Sequence, residues 1–505
     1  MLMTIIRIAL VAFGVIAQLF VWLWLLLFLG NEFIIFELVY MLIEVALVLA
    51  IIKNTHSISK DLPWLIVILI FPVAGALFYL IVRASLNRSP LIKKIDKSIN
   101  ESKKHLRENP SVVQQIKDRH LGDLYYLTKI VGFPAYQKNK ISYYSLGDYV
   151  FPEMLKALKK AKKYIFIEYY IIGPDSTMWQ EILAILEAKV KDGVDVRVMY
   201  DGWGSISMEH KYPPSRLRAK GIKCITFNKV SNILGSLVLN NRDHRKMMII
   251  DGEIAFSGGI NLDDNYINRS RPHGEWKDNG IKIEGKAAWS FTAQFLALWH
   301  VYSDEKEGYV NFQPNTDFAA TFKPNGLTAP YSTSPFEKEY VGENIYLNII
   351  NSAKEYVYMY TPYLILDESM IIALELAAKR GVDVRIIVPN DPDWKIIFDV
   401  TCSYFERLIK SDVKIYRYLP GFIHSKVFIS DDTIATVGSI NMDYRSLYHH
   451  FECGVYLYKV SALGDIKKDL LEACNKSHSV SLKEATPTLP RSIYQAILRF
   501  FAPML

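Results

Sequence analysis

The sequence has little cysteine. Four occur in 505 residues, and none of them lies in a CxxC pair: Cys224, Cys402, Cys453 and Cys474. Closely spaced cysteine pairs are what a structural zinc site or a disulfide framework requires. The sequence therefore favours neither of these, and it predicts four unpaired thiols in a reducing compartment.

Charge is absent from two long stretches near the amino terminus, residues 8–29 and 62–82. A helix of about 20 apolar residues can cross the hydrocarbon core of a bilayer, so we predict a membrane span in each. We predict a third span at 33–52, which is apolar except for Glu37 and Glu44. The run at 8–29 is too long for a signal peptide, and no small-residue cleavage site follows it.

Positive charge is concentrated directly after the last of these stretches. Residues 83–107 hold eight Lys or Arg against two acidic residues. Such an excess marks the cytoplasmic side of a membrane and attracts anionic headgroups. We therefore expect a multi-pass protein of the cell membrane whose remaining chain is cytoplasmic. Three spans would leave Lys53 and Lys60 outside, and a re-entrant first segment would remove that conflict, so two or three spans both remain open.

From about residue 110, strand and helix patterns alternate, and the order occurs twice. The strand–helix–strand triplets are 161–171, 179–193 and 194–201 in the first half, and 353–365, 370–381 and 382–390 in the second. The pentapeptide GVDVR occurs in both halves, at 193–197 and 381–385. Units of this length predict parallel strands joined by right-handed crossovers. The predicted fold class is α/β, a pseudo-twofold duplication of one domain with N-terminal transmembrane helices.

The repeat sets the expected domain boundaries. These are a transmembrane region at 1–82, a basic juxtamembrane segment at 83–134, a first domain at 135–303, a connecting segment at 304–339, a second domain at 340–480 and an amphipathic tail at 481–505. The connecting segment is rich in Pro, Asn, Thr and Ser and is predicted to be a loop. The apolar tail is predicted to contact the membrane.

Each half carries the same motif. DHRKMMIIDGEIAFSGGIN occupies 243–261 and IHSKVFISDDTIATVGSIN occupies 423–441, with His, Lys, Asp, Gly and Asn at equal offsets. Residues two apart on a strand face the same way, so the His and Lys of each copy share a face. Each copy then offers an imidazole, a cation and an amide, which are the groups that hold and attack a phosphate.

Two copies that meet across a twofold axis would supply two imidazoles. One can attack phosphorus while the other protonates the leaving oxygen and then deprotonates the second substrate. A single HxKxxxxD arises by chance too often to carry weight, but its recurrence inside a duplication indicates catalysis. The predicted catalytic residues are His244, Lys246, Asp251, His424, Lys426 and Asp431.

A carboxylate is the usual partner that orients a catalytic histidine and stabilises its cation. WKDNG at 276–280 aligns with HFECG at 450–454, and each places an acidic residue at the same position. We therefore expect Asp278 and Glu452 to orient the histidines. The alternative is that each is a surface acid near the start of a strand.

The doubled motif resembles that of the phospholipase D superfamily over about residues 110–505. The apolar spans ahead of it, the stretch PWLIVILIFPVAGALFYLI, YDGWGS at 200–205 and the closing RSIYQAILRFFAPML are similar to the bacterial cardiolipin synthases. This resemblance implies transfer of a phosphatidyl group between two phosphatidylglycerol molecules at an anionic bilayer, giving cardiolipin and glycerol without a metal or other cofactor. A lipid hydrolase or a phosphatidylserine synthase is the alternative. A nuclease fits poorly with membrane spans, so we expect no nucleic acid partner.

The resemblance also implies roles for the residues. His244 is the expected nucleophile, forming a phosphohistidine, and His424 the general acid and base, although the pseudo-symmetry permits the reverse. Lys246 and Lys426 would bind phosphoryl oxygens. The additional phosphate-binding side chains would be Asn261, Asn441 and Ser439, which replaces Gly259 of the first copy. Asp251 and Asp431 would brace their motifs at the strand ends.

Overall fold

The structure is a computed structural model. It describes residues 20, 32–54, 64–69, 71, 75–76, 79, 90–119, 121–229, 241–305, 307–314, 322–323 and 326–504. The chain divides into two compact units, of which one comprises Met1–Ile92 with Phe500–Leu505 and the other Lys93–Arg499.

The first unit contains the helix α1 (Glu32–Asn54), which covers the predicted span at 33–52. A small apolar cluster is formed by Ile51, Leu65, Ile68 and Tyr79. Over the described positions, no helix combines the length and the apolar character that crossing a bilayer requires. The predicted span at 8–29 lies outside the described residues except for position 20, and much of 62–82 does too. The transmembrane spans therefore remain predictions.

The second unit holds the duplicated fold. The strands of its first half are β1 (Asn139–Tyr144), β2 (Tyr164–Tyr169), β3 (Asp195–Asp201), β4 (Lys223–Phe227), β5 (Lys246–Ile250), β6 (Ile254–Gly258), β7 (Glu275–Lys277) and β8 (Gly280–Gly285). All but β7 form one mixed sheet in the order β1-β8-β6-β5-β2-β3-β4. The predicted parallel pairing is confirmed for β2 with β3, and β5 joins β2 in antiparallel fashion.

The second half repeats this sheet. Its strands are β9 (Leu327–Thr333), β10 (Tyr356–Tyr360), β11 (Asp383–Pro389), β12 (Lys414–Tyr418), β13 (Gly421–Ile423), β14 (Val427–Ser430), β15 (Ile434–Gly438), β16 (Glu452–Tyr458) and β17 (Ser477–Ser479). The order β9-β16-β15-β14-β10-β11-β12 matches the first sheet strand for strand, and β17 is added at the edge. The predicted α/β duplication is therefore confirmed.

The connecting segment at 304–339 differs from its prediction as a loop. It contains β9, which pairs in antiparallel fashion with β16 along its whole length and forms an edge of the second sheet. Pro330 lies within β9. Proline has no backbone N–H to donate to a neighbouring strand, so within a sheet it is tolerated mainly in edge strands. Its presence also makes the segment resemble a loop in the sequence.

The helices of the second unit surround these sheets. In chain order they are α2 (Pro90–Lys103), α3 (Pro110–Asp118), α4 (Gly122–Tyr125), α5 (Gly147–Lys159), α6 (Thr177–Lys191), α7 (Ile206–Lys211), α8 (Pro214–Arg218), α9 (Ala288–Tyr302), α10 (Val341–Ser352), α11 (Glu368–Lys379), α12 (Lys395–Cys402), α13 (Phe405–Ile409), α14 (Tyr444–Tyr448), α15 (Leu463–Asn475), α16 (Leu482–Ala485) and α17 (Leu489–Phe500). The crossover helices α6 and α11 begin at polar caps. Ser176 accepts from the N–H of Trp179 and Asp367 from that of Met370, at 3.1 and 2.9 Å.

The two halves share an apolar helix. α9 is apolar on nearly every face and contacts strands of the first sheet as well as β9 of the second. A helix of this kind is stable only when it is buried, so it forms part of the core of the whole unit. The basic segment also packs here, since the Ser98 hydroxyl donates to the Ala297 carbonyl at 2.6 Å.

Candidate active site

Two short backbone contacts join the halves beside the motifs. β13 pairs in parallel with β7, and the His424 N–H then donates to the Lys277 carbonyl at 2.8 Å. At the pseudo-twofold-related position, the His244 N–H donates to the Phe451 carbonyl at 2.9 Å. Lys277 and Phe451 immediately precede the two predicted orienting carboxylates. These backbone hydrogen bonds therefore place the histidine of each motif next to residues of the other half.

The side chains of the two motif histidines also pair with residues of the other half. His244 Nδ1 lies 2.8 and 3.0 Å from the two carboxylate oxygens of Glu452, and His424 Nδ1 lies 2.6 Å from Asp278 Oδ2. Both carboxylates are fully buried. Each imidazole therefore pairs through Nδ1 with a carboxylate of the other half. We call these two histidine–carboxylate pairs dyads. Each dyad needs residues from both halves of the unit.

The two motif lysines lie in the same buried site. Lys246 Nζ donates to the His244 carbonyl at 2.5 Å, and Lys426 Nζ lies 2.9 Å from His424 Nδ1. Burial, Lys246 and Lys426 together lower the pKa of His244 well below its ordinary value. Burial and the same two lysines also lower the pKa of His424. Each half's lysine thus acts on the other half's histidine, and the two copies of the motif form one site.

Burial also shifts the pKa of the remaining charged groups. It lowers the pKa of Lys246 to about 8 and that of Lys426 to about 7, and it raises the pKa of Asp278 to about 7. The carboxylates of Glu452 and Asp278 stabilise the two ammonium groups, but burial still lowers the pKa of both lysines, so the site has room for a further negative charge. A phosphodiester anion would supply that charge and would raise the pKa of the histidines and lysines.

Asp251 and Asp431 bind backbone. The Asp251 carboxylate accepts from the N–H groups of Lys162, Lys163 and Tyr164, at 2.9, 2.7 and 2.9 Å. The Asp431 carboxylate accepts from three consecutive N–H groups in the same way, at 2.8, 2.9 and 2.9 Å. Both aspartates also adopt a left-handed backbone, with φ of 55° and 52°. Their contacts are those of braces between neighbouring strands.

The two motif asparagines differ in their contacts. Asn261 donates to the Tyr266 hydroxyl at 2.8 Å and accepts from the Ile171 N–H at 3.1 Å, so both ends of its amide are engaged. The side-chain oxygen of Asn441 is buried without a hydrogen-bond partner among the described residues. The sequence predicts the same phosphate contact for both, whereas the structure leaves more freedom to Asn441.

Ser439 departs from its predicted role as a phosphate donor. Its hydroxyl donates to Glu452 Oε2 at 2.5 Å and accepts from the Cys453 N–H at 3.0 Å, so it is already engaged. Ser446, which the sequence did not single out, donates to Glu452 Oε1 at 2.6 Å. Two hydroxyls therefore hold the carboxylate of the His244 dyad. The equivalent of Ser439 is Gly259, where a Cβ would lie 2.0 Å from Asp278 Oδ1.

Aromatic side chains enclose the His424 dyad. Tyr266, Trp276 and Phe422 lie 5.4, 5.8 and 6.0 Å from the His424 ring, measured between ring centroids. Ser446 aligns with Tyr266, and His450 with Trp276. The same two positions are thus polar in the His244 dyad and aromatic in the His424 dyad.

The His244 ring has neighbours that sequence reasoning missed. Tyr170 lies 5.0 Å and His450 5.5 Å from it, and Lys246 Nζ lies 5.4 Å from the Tyr170 ring. Tyr170 follows a buried strand directly and His450 occupies a position aligned with an aromatic residue, which are the signals that could have found them. His244, His450 and Glu452 also offer three metal-ligand atoms within 4.8 Å of one another.

Comparison with known families identifies both halves. The family described as "Cardiolipin synthase, PLD-like domain" matches residues 154–299 and again residues 346–473. The family described as "Phospholipase_D-nuclease N-terminal" matches residues 41–83. The two matched domains contain both motifs and both orienting carboxylates.

Individual proteins agree with these matches. The chain is 43% identical over 438 residues to an uncharacterized protein of Streptococcus mutans, covering 86% of this chain and 94% of that protein. It is 33% identical over 466 residues to the cardiolipin synthase of Alkalihalophilus pseudofirmus, covering 90% of each. The crystal structure of the phosphatidylserine synthase of Haemophilus influenzae superposes with a TM-score of 0.55 at 14% identity, over 74% of this chain and 95% of that one. That last likeness concerns the fold. The chain belongs to the cardiolipin synthase family, whose members carry phospholipase D-like domains.

Proposed function

We propose that this protein is a cardiolipin synthase that transfers a phosphatidyl group from one phosphatidylglycerol to a second, releasing glycerol. The single observation that best supports this is the pair of crossed dyads, in which His244 meets Glu452 and His424 meets Asp278 beside two buried lysines. A transfer through a covalent intermediate needs a nucleophile and an acid on opposite sides of phosphorus. Membership of the family agrees with this chemistry.

In the first step, Nε2 of His244 attacks the phosphorus of the donor lipid. A P–N bond forms and the bond from phosphorus to the glycerol headgroup oxygen breaks. The bound phosphodiester raises the pKa of His424, so its ring enters this step protonated on both nitrogens. It donates the Nε2 proton to that oxygen, and glycerol leaves. Glu452 keeps the Nδ1 proton on His244 and stabilises the positive imidazole of the intermediate.

In the second step, His424 removes the proton of a terminal headgroup hydroxyl of the second phosphatidylglycerol. The alkoxide oxygen attacks the same phosphorus, the P–N bond breaks and His244 becomes free. The product is cardiolipin, and both imidazoles return to their starting protonation states. Lys246 and Lys426 offset the charge on the phosphoryl oxygens throughout, and Asn441 has an uncommitted amide oxygen that suits a substrate hydroxyl.

His244 fits the nucleophile better than His424. Its carboxylate accepts from two serine hydroxyls, Ser439 and Ser446, which hold it in position beside the ring. Asp278 accepts from the Asn279 N–H and pairs with His424, with no serine hydroxyl among its hydrogen bonds to described residues, and burial raises its pKa to about 7. A carboxylate that shares a proton with its histidine near pH 7 suits a general acid and base, because that histidine must both give up a proton and take one up.

We further propose that the amino-terminal spans hold this unit against the cytoplasmic face of the cell membrane. The tail supports contact with lipid. Along α17, the side chains of Leu489, Ile493 and Ile497 are 76%, 56% and 55% exposed, with Arg491 and Arg499 on the same short helix. An exposed apolar face with basic residues is suited to an anionic bilayer surface.

The test is incubation of the purified full chain with phosphatidylglycerol vesicles, followed by mass spectrometry of the lipids. We expect cardiolipin and glycerol in equal amounts. Phosphatidic acid without cardiolipin would mean that water is the acceptor, and the protein would be a hydrolase. Added serine that yields phosphatidylserine instead would point to the other alternative.

A further inference from the structure

His450 is a third histidine in the site, and it takes part in no step of the proposed reaction. Its Nδ1 lies 3.6 Å from Glu452 Oε1, and its side chain is 11% exposed. Glu452 is the group that this nitrogen faces, and at that distance the contact is longer than an ordinary hydrogen bond. Its ring lies 5.5 Å from that of His244. A buried imidazole nitrogen at a long distance from a carboxylate and beside a second imidazole has the surroundings of a metal ligand.

We propose that His244, His450 and Glu452 form an inhibitory zinc site. This inference rests on the proposed function for its effect on activity, but the binding itself does not depend on that function. Zinc bound by two imidazoles and one carboxylate, with water in the fourth position, is a common arrangement in proteins.

The separations suit such a site. Ligand bonds of about 2.0–2.2 Å in a tetrahedron place neighbouring ligand atoms about 3.3 Å apart. Here, Glu452 Oε1 lies 2.8 Å from His244 Nδ1 and 3.6 Å from His450 Nδ1, and all three ligand atoms fall within 4.8 Å of one another. Zinc would replace the proton that His244 now donates to Glu452, and that proton would be released to water.

The surroundings hold the carboxylate of this site in place. Ser439 and Ser446 orient Glu452 through hydrogen bonds, as outer partners of metal ligands usually do. The nearby Lys246 and Lys426 oppose a cation, so only a metal with high affinity for imidazole can bind. Zn²⁺ meets that condition, whereas Mg²⁺ and Ca²⁺ prefer oxygen ligands.

The other dyad lacks this capacity. Trp276 occupies the position equivalent to His450, and its ring packs 5.8 Å from that of His424. An indole offers no metal ligand, so His424 and Asp278 have no third donor at that position. Zinc should therefore engage the half of the site that holds the nucleophile. An imidazole bound to a dication is a weaker nucleophile, and turnover should fall.

The experiment compares three forms of the full chain, purified in detergent and stripped of metal. These are the wild type, His450→Asn, and His478→Asn as a matched control that alters an exposed His–Glu pair with Glu484. Zinc binding is measured by calorimetry with chelator-buffered Zn²⁺, and turnover of phosphatidylglycerol is measured over the same zinc range. We expect the zinc Kd and the half-inhibitory zinc concentration of His450→Asn both to rise at least tenfold, with inhibition expressed relative to the variant's own zinc-free turnover. His478→Asn should match the wild type, and Mg²⁺ should not inhibit.

An unchanged zinc Kd in His450→Asn would overturn the site, and so would loss of binding in His478→Asn. Weaker binding in His450→Asn with unchanged inhibition would overturn the inhibitory role. Binding that depends on His450 in a chain that makes no cardiolipin would leave the zinc site standing and would refute the proposed function instead.

Discussion

The two dyads of the site share one design and differ in what surrounds them. His244 and Glu452 are held by the hydroxyls of Ser439 and Ser446, with His450 nearby. His424 and Asp278 are enclosed by Tyr266, Trp276 and Phe422. A duplicated gene begins with equal halves, so this difference marks where the halves have separate tasks. The two hydroxyls fix the carboxylate beside the proposed nucleophile, and burial raises the pKa of Asp278 beside the proposed proton carrier.

The largest expected effect tests the division of tasks itself. His244→Ala and His424→Ala should each lower cardiolipin formation by about 10⁴-fold. A phosphodiester whose leaving group needs no proton, such as a p-nitrophenyl ester, should separate them. His424→Ala should still release one equivalent of p-nitrophenol in a rapid burst, and His244→Ala should release none. A burst in His244→Ala alone would reverse the assignment.

A smaller loss of activity is expected from substitutions at two equivalent positions, Gly259 beside Asp278 and Ser439 beside Glu452. Gly259→Ala puts a Cβ 2.0 Å from Asp278 Oδ1, so it should displace that carboxylate and cost about 10²-fold in kcat. Ser439→Ala removes one of two hydroxyl donors from Glu452 and should cost only about tenfold. Steady-state kinetics on phosphatidylglycerol gives both values. Equal losses would mean that the halves are supported alike.

The pH dependence sharpens the comparison further. The raised pKa of Asp278, about 7, means that the proton it shares with His424 is present below pH 7 and lost above it. The first step uses that proton, so kcat/KM should fall as pH rises past 7, by about tenfold per unit. A bound phosphodiester holds the proton more tightly, so kcat should begin to fall at a higher pH.

Lys426 has a lowered pKa, also about 7, and would lose its charge over the same range. The variant Lys426→Arg keeps its charge throughout and removes this contribution, which leaves Asp278 to titrate near pH 7 and Lys246 about one unit higher. The fall in kcat/KM should persist in this variant. A flat profile would assign the fall to the lysine.

The smallest effect on catalysis is expected where the halves are most alike. Asp251→Asn and Asp431→Asn each keep one acceptor for three backbone N–H groups and tolerate the left-handed backbone. Each should lower the free energy of unfolding by about 1–2 kcal/mol, measured by denaturant titration. Turnover per folded molecule should change by less than about tenfold. A loss comparable to that of the histidine variants would mean that these aspartates act in catalysis.

The sequence was sufficient for the parts of the molecule that repeat. The strand–helix–strand order and the two motifs predicted the duplicated α/β fold, and GVDVR marked equivalent turns before β3 and β11. The alignment of WKDNG with HFECG found the two carboxylates now seen beside the histidines. Repetition supplies an internal comparison, because each half of the chain can be aligned with the other.

What the sequence could not supply depends on contacts across the halves. Each histidine meets the carboxylate of the other half because β7 and β13 pair between the halves. These two strands have three residues each and are too short to leave a recognisable pattern in the sequence. Ser439 faced Glu452 and not the phosphate position because the direction of a hydroxyl is set by its neighbours in space. Likewise, β9 was missed because an edge strand containing Pro330 has the composition of a loop.

The most direct test of the central claim is to trap the intermediate and locate it. The full chain is mixed with phosphatidylglycerol, quenched within one turnover under alkaline conditions that preserve phosphohistidine, and digested for mass spectrometry. The peptide carrying the phosphatidyl group should contain His244, and the adduct should be absent from His244→Ala. An adduct on His424, or cardiolipin formed without any adduct on histidine, would contradict the account.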